Sequence, residues 1–179
     1  MQEIEIKFKV DDLEKIKSNL LNLNCIFSKE KNQKDSVFVP DLNDTSNREG
    51  KMFIRVRSVN GKVEMNLKKQ SDKIMQSKEI EFEASDFDRA YDFLKTLGLK
   101  EWVTVEKKRI TTKYNKYNIC IDEVKRLGSF VEIEIVTDEE NKTEEFEKEI
   151  LDIAMTIGID INNRVNNFYD TMIHELDNK

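Results

Sequence analysis

Short runs in which charged and apolar residues strictly alternate recur along this chain, and they admit few folds. In Glu3-Ile4-Glu5-Ile6-Lys7-Phe8 every second side chain is charged and the others are apolar, the period of a strand with one polar and one buried face. Phe53-Ile54-Arg55-Val56-Arg57 and Val63-Glu64-Met65-Asn66-Leu67-Lys68 repeat the pattern. Asn60-Gly61 between them predicts a type I′ hairpin, because both positions tolerate positive φ. Residues 78–84 set Glu79, Glu81 and Glu83 against Ile80, Phe82 and Ala84. Residues 103–112, 117–123 and 129–137 complete a meander joined by short polar or glycine-containing turns.

Helical periods interrupt the strands. Asp11 or Asp12 can cap a helix whose stripe is Leu13, Ile16, Leu20 and Leu23. Residues 24–40 read as one long strand ending at Pro40, and residues 41–50 as a flexible loop able to act as a lid. Ser85, with Asp88 three residues on, opens a second helix ending at Gly98. Phe146, Ile150, Ile153, Ala154 and Ile157 form a third stripe stopped by Gly158, and a short helix over 166–176 follows. About eight strands with three or four helices, several joined as hairpins, predict an α+β domain built on an antiparallel sheet.

With 179 residues and no Pro, Gly or Ser-rich divider, one domain over 1–179 is expected. No apolar run reaches membrane-spanning length and the N-terminus lacks a leader pattern, so the chain is expected in the cytoplasm, without a membrane partner. Cys25 and Cys120 form no Cys-x-x-Cys pair and are expected to be buried reduced thiols. A net charge of −6 argues against nucleic acid as a partner. His174 is expected on the surface, and Trp102 with Phe8, Phe53, Phe82, Phe87, Phe93, Phe130 and Phe146 in the core. The acidic run 138–145 reads as a turn and a first helical turn.

The distribution of charge points to function. Glu3, Glu5 and Lys7 share a strand face, as do Arg55 with Arg57, Glu79 with Glu81, Lys107 with Arg109, and Glu132 with Glu134. Lys68 and Asp122 take the polar parity of their own strands. Any one pair is explained by a solvated sheet face. An open sheet has no need of the whole set, whereas a closed barrel would turn these side chains inward, where they are costly unless they bind something. A polyphosphate with its metal answers both signs: Arg and Lys hold phosphate oxygens, and carboxylates hold Mg²⁺ or Mn²⁺. The five glycines are scattered and form no Walker loop, so phosphate would be held by side chains.

The residues resemble a known family. Glu3-x-Glu5-x-Lys7 matches the N-terminal signature of CYTH proteins, which include class IV (CyaB-type) adenylyl cyclases, thiamine triphosphatases and inorganic triphosphatases. In order follow Gln33-x-Asp35, Ile54-Arg55-x-Arg57, Leu67-Lys68, Lys78-Glu79-x-Glu81, Glu106-Lys107-x-Arg109, Asp122-Glu123-Val124 and Leu127-Gly128-x-Phe130-Val131-Glu132-Ile133-Glu134. The resemblance implies an eight-stranded antiparallel β-barrel, or triphosphate tunnel, with helices outside. It implies metal carboxylates at Glu3, Glu5, Glu132 and Glu134. Lys7, Arg55, Arg57, Lys68, Lys107 and Arg109 become triphosphate ligands, with Asp122, Glu79 and Glu81 orienting cations or metal-bound water. The motif around Asp122 to Glu134 is most similar to the CyaB-type branch, which implies conversion of ATP to 3′,5′-cyclic AMP and pyrophosphate. Hydrolysis of tripolyphosphate, thiamine triphosphate or a nucleoside triphosphate is the alternative, and a non-catalytic polyphosphate receptor a third. Val37, where many members have tyrosine, and Asn167-Phe168-Tyr169, in place of Ser-Tyr-Tyr, leave substrate choice open. The choice between Mg²⁺ and Mn²⁺, and whether the chain forms a homodimer, are open as well.

Overall fold

The computed structural model describes residues 2–42, 52–70 and 77–178, without the side chains of 2, 68–70, 77–79 and 140. The expected loop over 41–50 therefore falls almost wholly outside the described residues. Among the described residues nine strands and four α-helices form a mixed α and β structure on an antiparallel sheet. The strands are β1 (Gln2–Val10), β2 (Lys31–Val39), β3 (Met52–Val59), β4 (Lys62–Gln70), β5 (Ser77–Ala84), β6 (Lys100–Tyr114), β7 (Tyr117–Val124), β8 (Gly128–Thr137) and β9 (Arg164–Val165). The helices are α1 (Leu13–Asn22), α2 (Phe87–Thr96), α3 (Thr143–Thr156) and α4 (Tyr169–Asp177). The chain falls into two compact units, Met1–Lys31 with Lys108–Asn167, and Asn32–Lys107 with Phe168–Lys179.

In the first unit the ladder runs β6-β7-β8-β1-β9, with β6 contributing its C-terminal part. Ile4, Ile6 and Phe8 of β1, Val131 and Ile133 of β8 and Ile119 and Ile121 of β7 fall on one parity and are all buried. Burying each such side chain contributes about 1.5–3 kcal/mol. α3 packs on β1 and β8, and its buried stripe is Phe146, Ile150, Ile153 and Ala154. α1 buries Ile16 and Leu20 and starts at Asp12, whose carboxylate accepts from the Lys15 amide at 2.9 Å. Asn19 ties α1 to the end of α3 by donating to the Ile157 carbonyl at 2.9 Å. Gly158, at φ 85°, reverses the chain there, in a conformation few other residues tolerate.

In the second unit the ladder is β5-β4-β3-β2-β6, with β6 contributing its N-terminal part. Asn60 and Gly61 have φ of 49° and 85°, the backbone a type I′ turn requires between β3 and β4. α2 packs on β3, and Phe38, Val56, Val63, Met65, Ala90 and Leu94 form the core between sheet and helix. Phe38 meets Tyr91 edge to face at 5.0 Å between ring centroids.

Several expectations are corrected. β2 starts at Lys31, and residues 24–30 lie outside the ladder. Asn24 at φ 60° breaks the extended chain, and Ser28 bonds the Thr111 backbone locally. Asp86 caps α2 in place of Ser85, accepting from the Arg89 amide at 2.8 Å. Phe82 and Phe93 are exposed, unlike the buried Phe8, Phe53, Phe130 and Phe146. His174 is half-buried, its ring 5.2 Å from that of Trp102. Among the described residues nine strands replace the expected eight, since the two residues of β9 pair with β1. Among the described residues the ladder has free ends at β5 and β9, so the pairing is that of an open sheet, and barrel closure is not established.

Candidate functional site

In the first unit, the parity opposite the core carries the charge. The antiparallel register of β1 and β8 sets Glu5 against Glu134 and Lys7 against Glu132, and that of β7 and β8 sets Cys120 against Glu132. Glu132 is the hub. One of its oxygens lies 3.2 Å from Lys7 Nζ, and Arg109 Nη2 donates to the other. Lys7 Nζ also stands 3.4 Å from Glu5. Arg109 from β6 forks onto Asp122, Nε to Oδ1 at 2.6 Å and Nη2 to Oδ2 at 2.5 Å. Asp122 is fully buried, so the bidentate geometry compensates a carboxylate that has no water.

Proton affinities follow from this arrangement. Burial alone would lower Lys7, but Glu132 and Glu5 outweigh it and hold its ammonium above the usual range. Burial likewise opposes charge on Arg109, and Asp122 and Glu132 more than offset it. The carboxylates at the Glu5 end behave differently. Burial, then the charge of Glu132, pushes Glu5 up despite Lys7. Burial, then Glu3 and Glu5, raises Glu134 to about 7. Burial also lifts the Cys120 thiol, on the same face, to about 12, so it is a neutral thiol.

The second unit has its own constellation. Asp35 on β2 is directly opposite Arg57 on β3, and Arg57 forks onto it with Nε and Nη2 each at 2.8 Å. Gln33 Nε2 donates to the same carboxylate at 3.0 and 3.3 Å, and Arg55 Nη1 is 3.8 Å away. Burial would raise Asp35, but the bond and charge of Arg57, then Arg55 and Lys107, keep it below the usual carboxylate range. Lys107 is buried with its ammonium 4.9 Å from the Tyr169 ring centroid, a cation–π contact that offsets lost hydration.

The expected site residues fall in both units. Lys7, Glu5, Arg109, Asp122, Glu132 and Glu134 belong to the first group, with Glu3 on the same strand face but exposed. Arg55, Arg57 and Lys107 belong to the second. Glu81 is exposed and accepts a long 3.4 Å bond from buried Asn66. Lys68 and Glu79 are opposed in the β4 and β5 register, but their side chains lie outside the described residues. Asp35 has no assigned role in the sequence reading; its signal is the shared parity of Gln33 and Asp35 and their pairing with an arginine strand.

The fit to a divalent cation can be judged from these donors. Among the described residues no three of His, Cys, Asp and Glu form a ready-made metal group. The oxygens of Glu132 are held by Lys7 and Arg109. Glu5 and Glu134, with Glu3 beside them, are hard oxygen donors whose mutual repulsion a cation would relieve, which suits a hard ion completed by water and phosphate oxygens.

Comparison with known proteins agrees with this architecture. A CYTH domain model matches residues 1–169, and the chain belongs to the CYTH family. A Methanocaldococcus jannaschii protein named "Putative adenylate cyclase MJ0240" is 31% identical over 171 residues, covering 94% of this chain and 97% of that protein. "Adenylate cyclase CyaB" of Aeromonas hydrophila is 24% identical over 158 residues, 88% of this chain and 81% of that protein. The solved PH1012 protein of Pyrococcus horikoshii superposes with a TM-score of 0.78 at 30% identity, covering 94% of this chain and 98% of that one. No helix among the described residues is long and apolar enough to cross a membrane.

Proposed function

We propose that this CYTH protein is a metal-dependent triphosphate-processing enzyme that converts ATP to 3′,5′-cyclic AMP and pyrophosphate. The observation that supports the reading most directly is buried charge of both signs on strand faces: Lys7, Glu132 and Asp122 in the first unit, Asp35 and Lys107 in the second. Burying an ion costs several kcal/mol, and protein partners offset that cost without making such pairs more stabilising than apolar packing, so keeping this many on strand faces supports a role in holding a charged ligand. The cyclase names of the relatives from Methanocaldococcus jannaschii and Aeromonas hydrophila agree with it.

In this reading Lys7, Arg109, Arg55, Arg57, Lys107 and Lys68 hold phosphate oxygens. Glu3, Glu5 and Glu134 would hold Mg²⁺ or Mn²⁺, which would neutralise charge and polarise phosphate oxygens, while Glu132, the fourth carboxylate of the family resemblance, holds Lys7 and Arg109. The 3′-oxygen of ATP forms a bond to the α-phosphorus as the bond to the β-phosphate oxygen breaks. Cyclic AMP and pyrophosphate result, and the hydroxyl proton is released. The cations balance charge on the departing pyrophosphate, and holding the hydroxyl in line with phosphorus accounts for much of the acceleration. Asp122 keeps Arg109 in one orientation throughout.

The test is to incubate the purified protein with ATP, tripolyphosphate or thiamine triphosphate, each with Mg²⁺ or Mn²⁺, and separate the products. Cyclic AMP with pyrophosphate supports the proposal. Orthophosphate from any substrate makes the protein a triphosphatase, and binding without turnover makes it a receptor.

A further inference from the structure

We propose that Asp35 is a positioning residue for the triphosphate: it fixes the plane of Arg57 and draws in Arg55, so that their remaining N–H groups are presented to phosphate oxygens. This rests on the triphosphate reading above. An acidic side chain among cations that are to hold an anion is unexpected on charge alone, because it weakens the attraction to phosphate. Its geometry offers a reason for its presence. Asp35 is 6% exposed and sits mid-strand. It takes both Nε and Nη2 of Arg57 at 2.8 Å and both oxygens are also reached by Gln33 Nε2. A guanidinium held on that edge has one plane and one direction left for its other N–H groups. Arg55 Nη1 stands farther from the same carboxylate, 3.8 Å from Oδ2. Arg57 is thereby the fixed member of the pair. Ordering a long side chain before the ligand arrives removes an entropy cost that binding would otherwise carry.

The experiment is calorimetric titration of tripolyphosphate with Mg²⁺ into the full-length protein and its Asp35→Asn, Arg57→Lys and Asp35→Asn/Arg57→Lys variants. Positioning predicts that Asp35→Asn weakens binding about tenfold although it removes a negative charge, and that the double variant binds no worse than Arg57→Lys alone, because both act through one fork. Unchanged or tighter binding by Asp35→Asn, or losses that add in the double variant, overturns the inference. Should Asp35→Asn fail to fold, Gln33→Leu keeps every charge and releases one restraint on the carboxylate; a loss of about threefold supports positioning and wild-type affinity overturns it. Wild-type protein that binds no tripolyphosphate overturns the triphosphate reading itself, and the inference with it.

Discussion

Glu5 on β1 stands directly across the antiparallel ladder from Glu134 on β8, like charges opposed at a position where sheets ordinarily place attractive or apolar pairs. The fold bears this repulsion, and burial, then the charges of Glu3 and Glu5, raises Glu134 to about 7.

A pH-dependent stability follows. The folded-state affinity of Glu134 for its proton is raised, so its contribution is fully present below the ordinary carboxylate range and lost as pH rises through about 7. Metal-free Glu134→Gln protein should therefore match wild type near pH 4.5 and melt a few degrees higher at pH 8, by calorimetry. A gap that does not change with pH would contradict the assignment.

Divalent cations should show the converse. If Glu5 and Glu134 hold the metal together with Glu3, protons compete for the Glu5 and Glu134 carboxylates, whose proton affinities are raised. Mg²⁺ or Mn²⁺ should raise the melting temperature more at pH 8 than at pH 6, and Glu5→Gln should lose most of the gain. Equal stabilisation at both pH values would exclude these carboxylates as the ligands.

Breaking the Arg109 fork should be costly. Asp122→Ala leaves a largely buried guanidinium with Glu132 alone, and loss of a buried pair costs about 3–5 kcal/mol. Urea unfolding measures it, with Glu132 as remaining partner placing the value near the lower end. A cost under about 1 kcal/mol would mean that the pair behaves as an exposed one.

At Gly158 an added Cβ would come 2.9 Å from Asn19 Nδ2, at a φ of +85°. Gly158→Ala should cost about 2–3 kcal/mol, combining left-handed backbone strain with disturbance of the bond from Asn19 to Ile157. Asn19→Ala should cost about 1 kcal/mol and remove the steric part of the Gly158→Ala penalty, so the double variant should lose less than the sum.

What could be read from the sequence depended on periodicity. β1 and the β3–β4 hairpin were legible because alternation and Asn60-Gly61 are local signals. The start of β2 was not, since the apolar run Cys25-Ile26-Phe27 suits an extended strand, yet residues 24–30 bond β6 through Ser28 and Thr111 rather than as a ladder. β9 has two residues and no period to detect. The charged faces were visible as parity, but their pairing was not. That Glu132 is held by both Lys7 and Arg109, or that Asp35 anchors Arg57, depends on strand register and order, which distant segments determine together.

The most direct measurement is calorimetric binding of tripolyphosphate to wild-type protein with Mn²⁺ and then with chelator. Stoichiometric binding that weakens at least about tenfold when the metal is removed, and that Glu5→Gln loses to a similar degree, is the predicted result. No binding heat in either condition, or equal affinity with chelator present, would contradict a site built from carboxylates and cations around a metal-bound triphosphate.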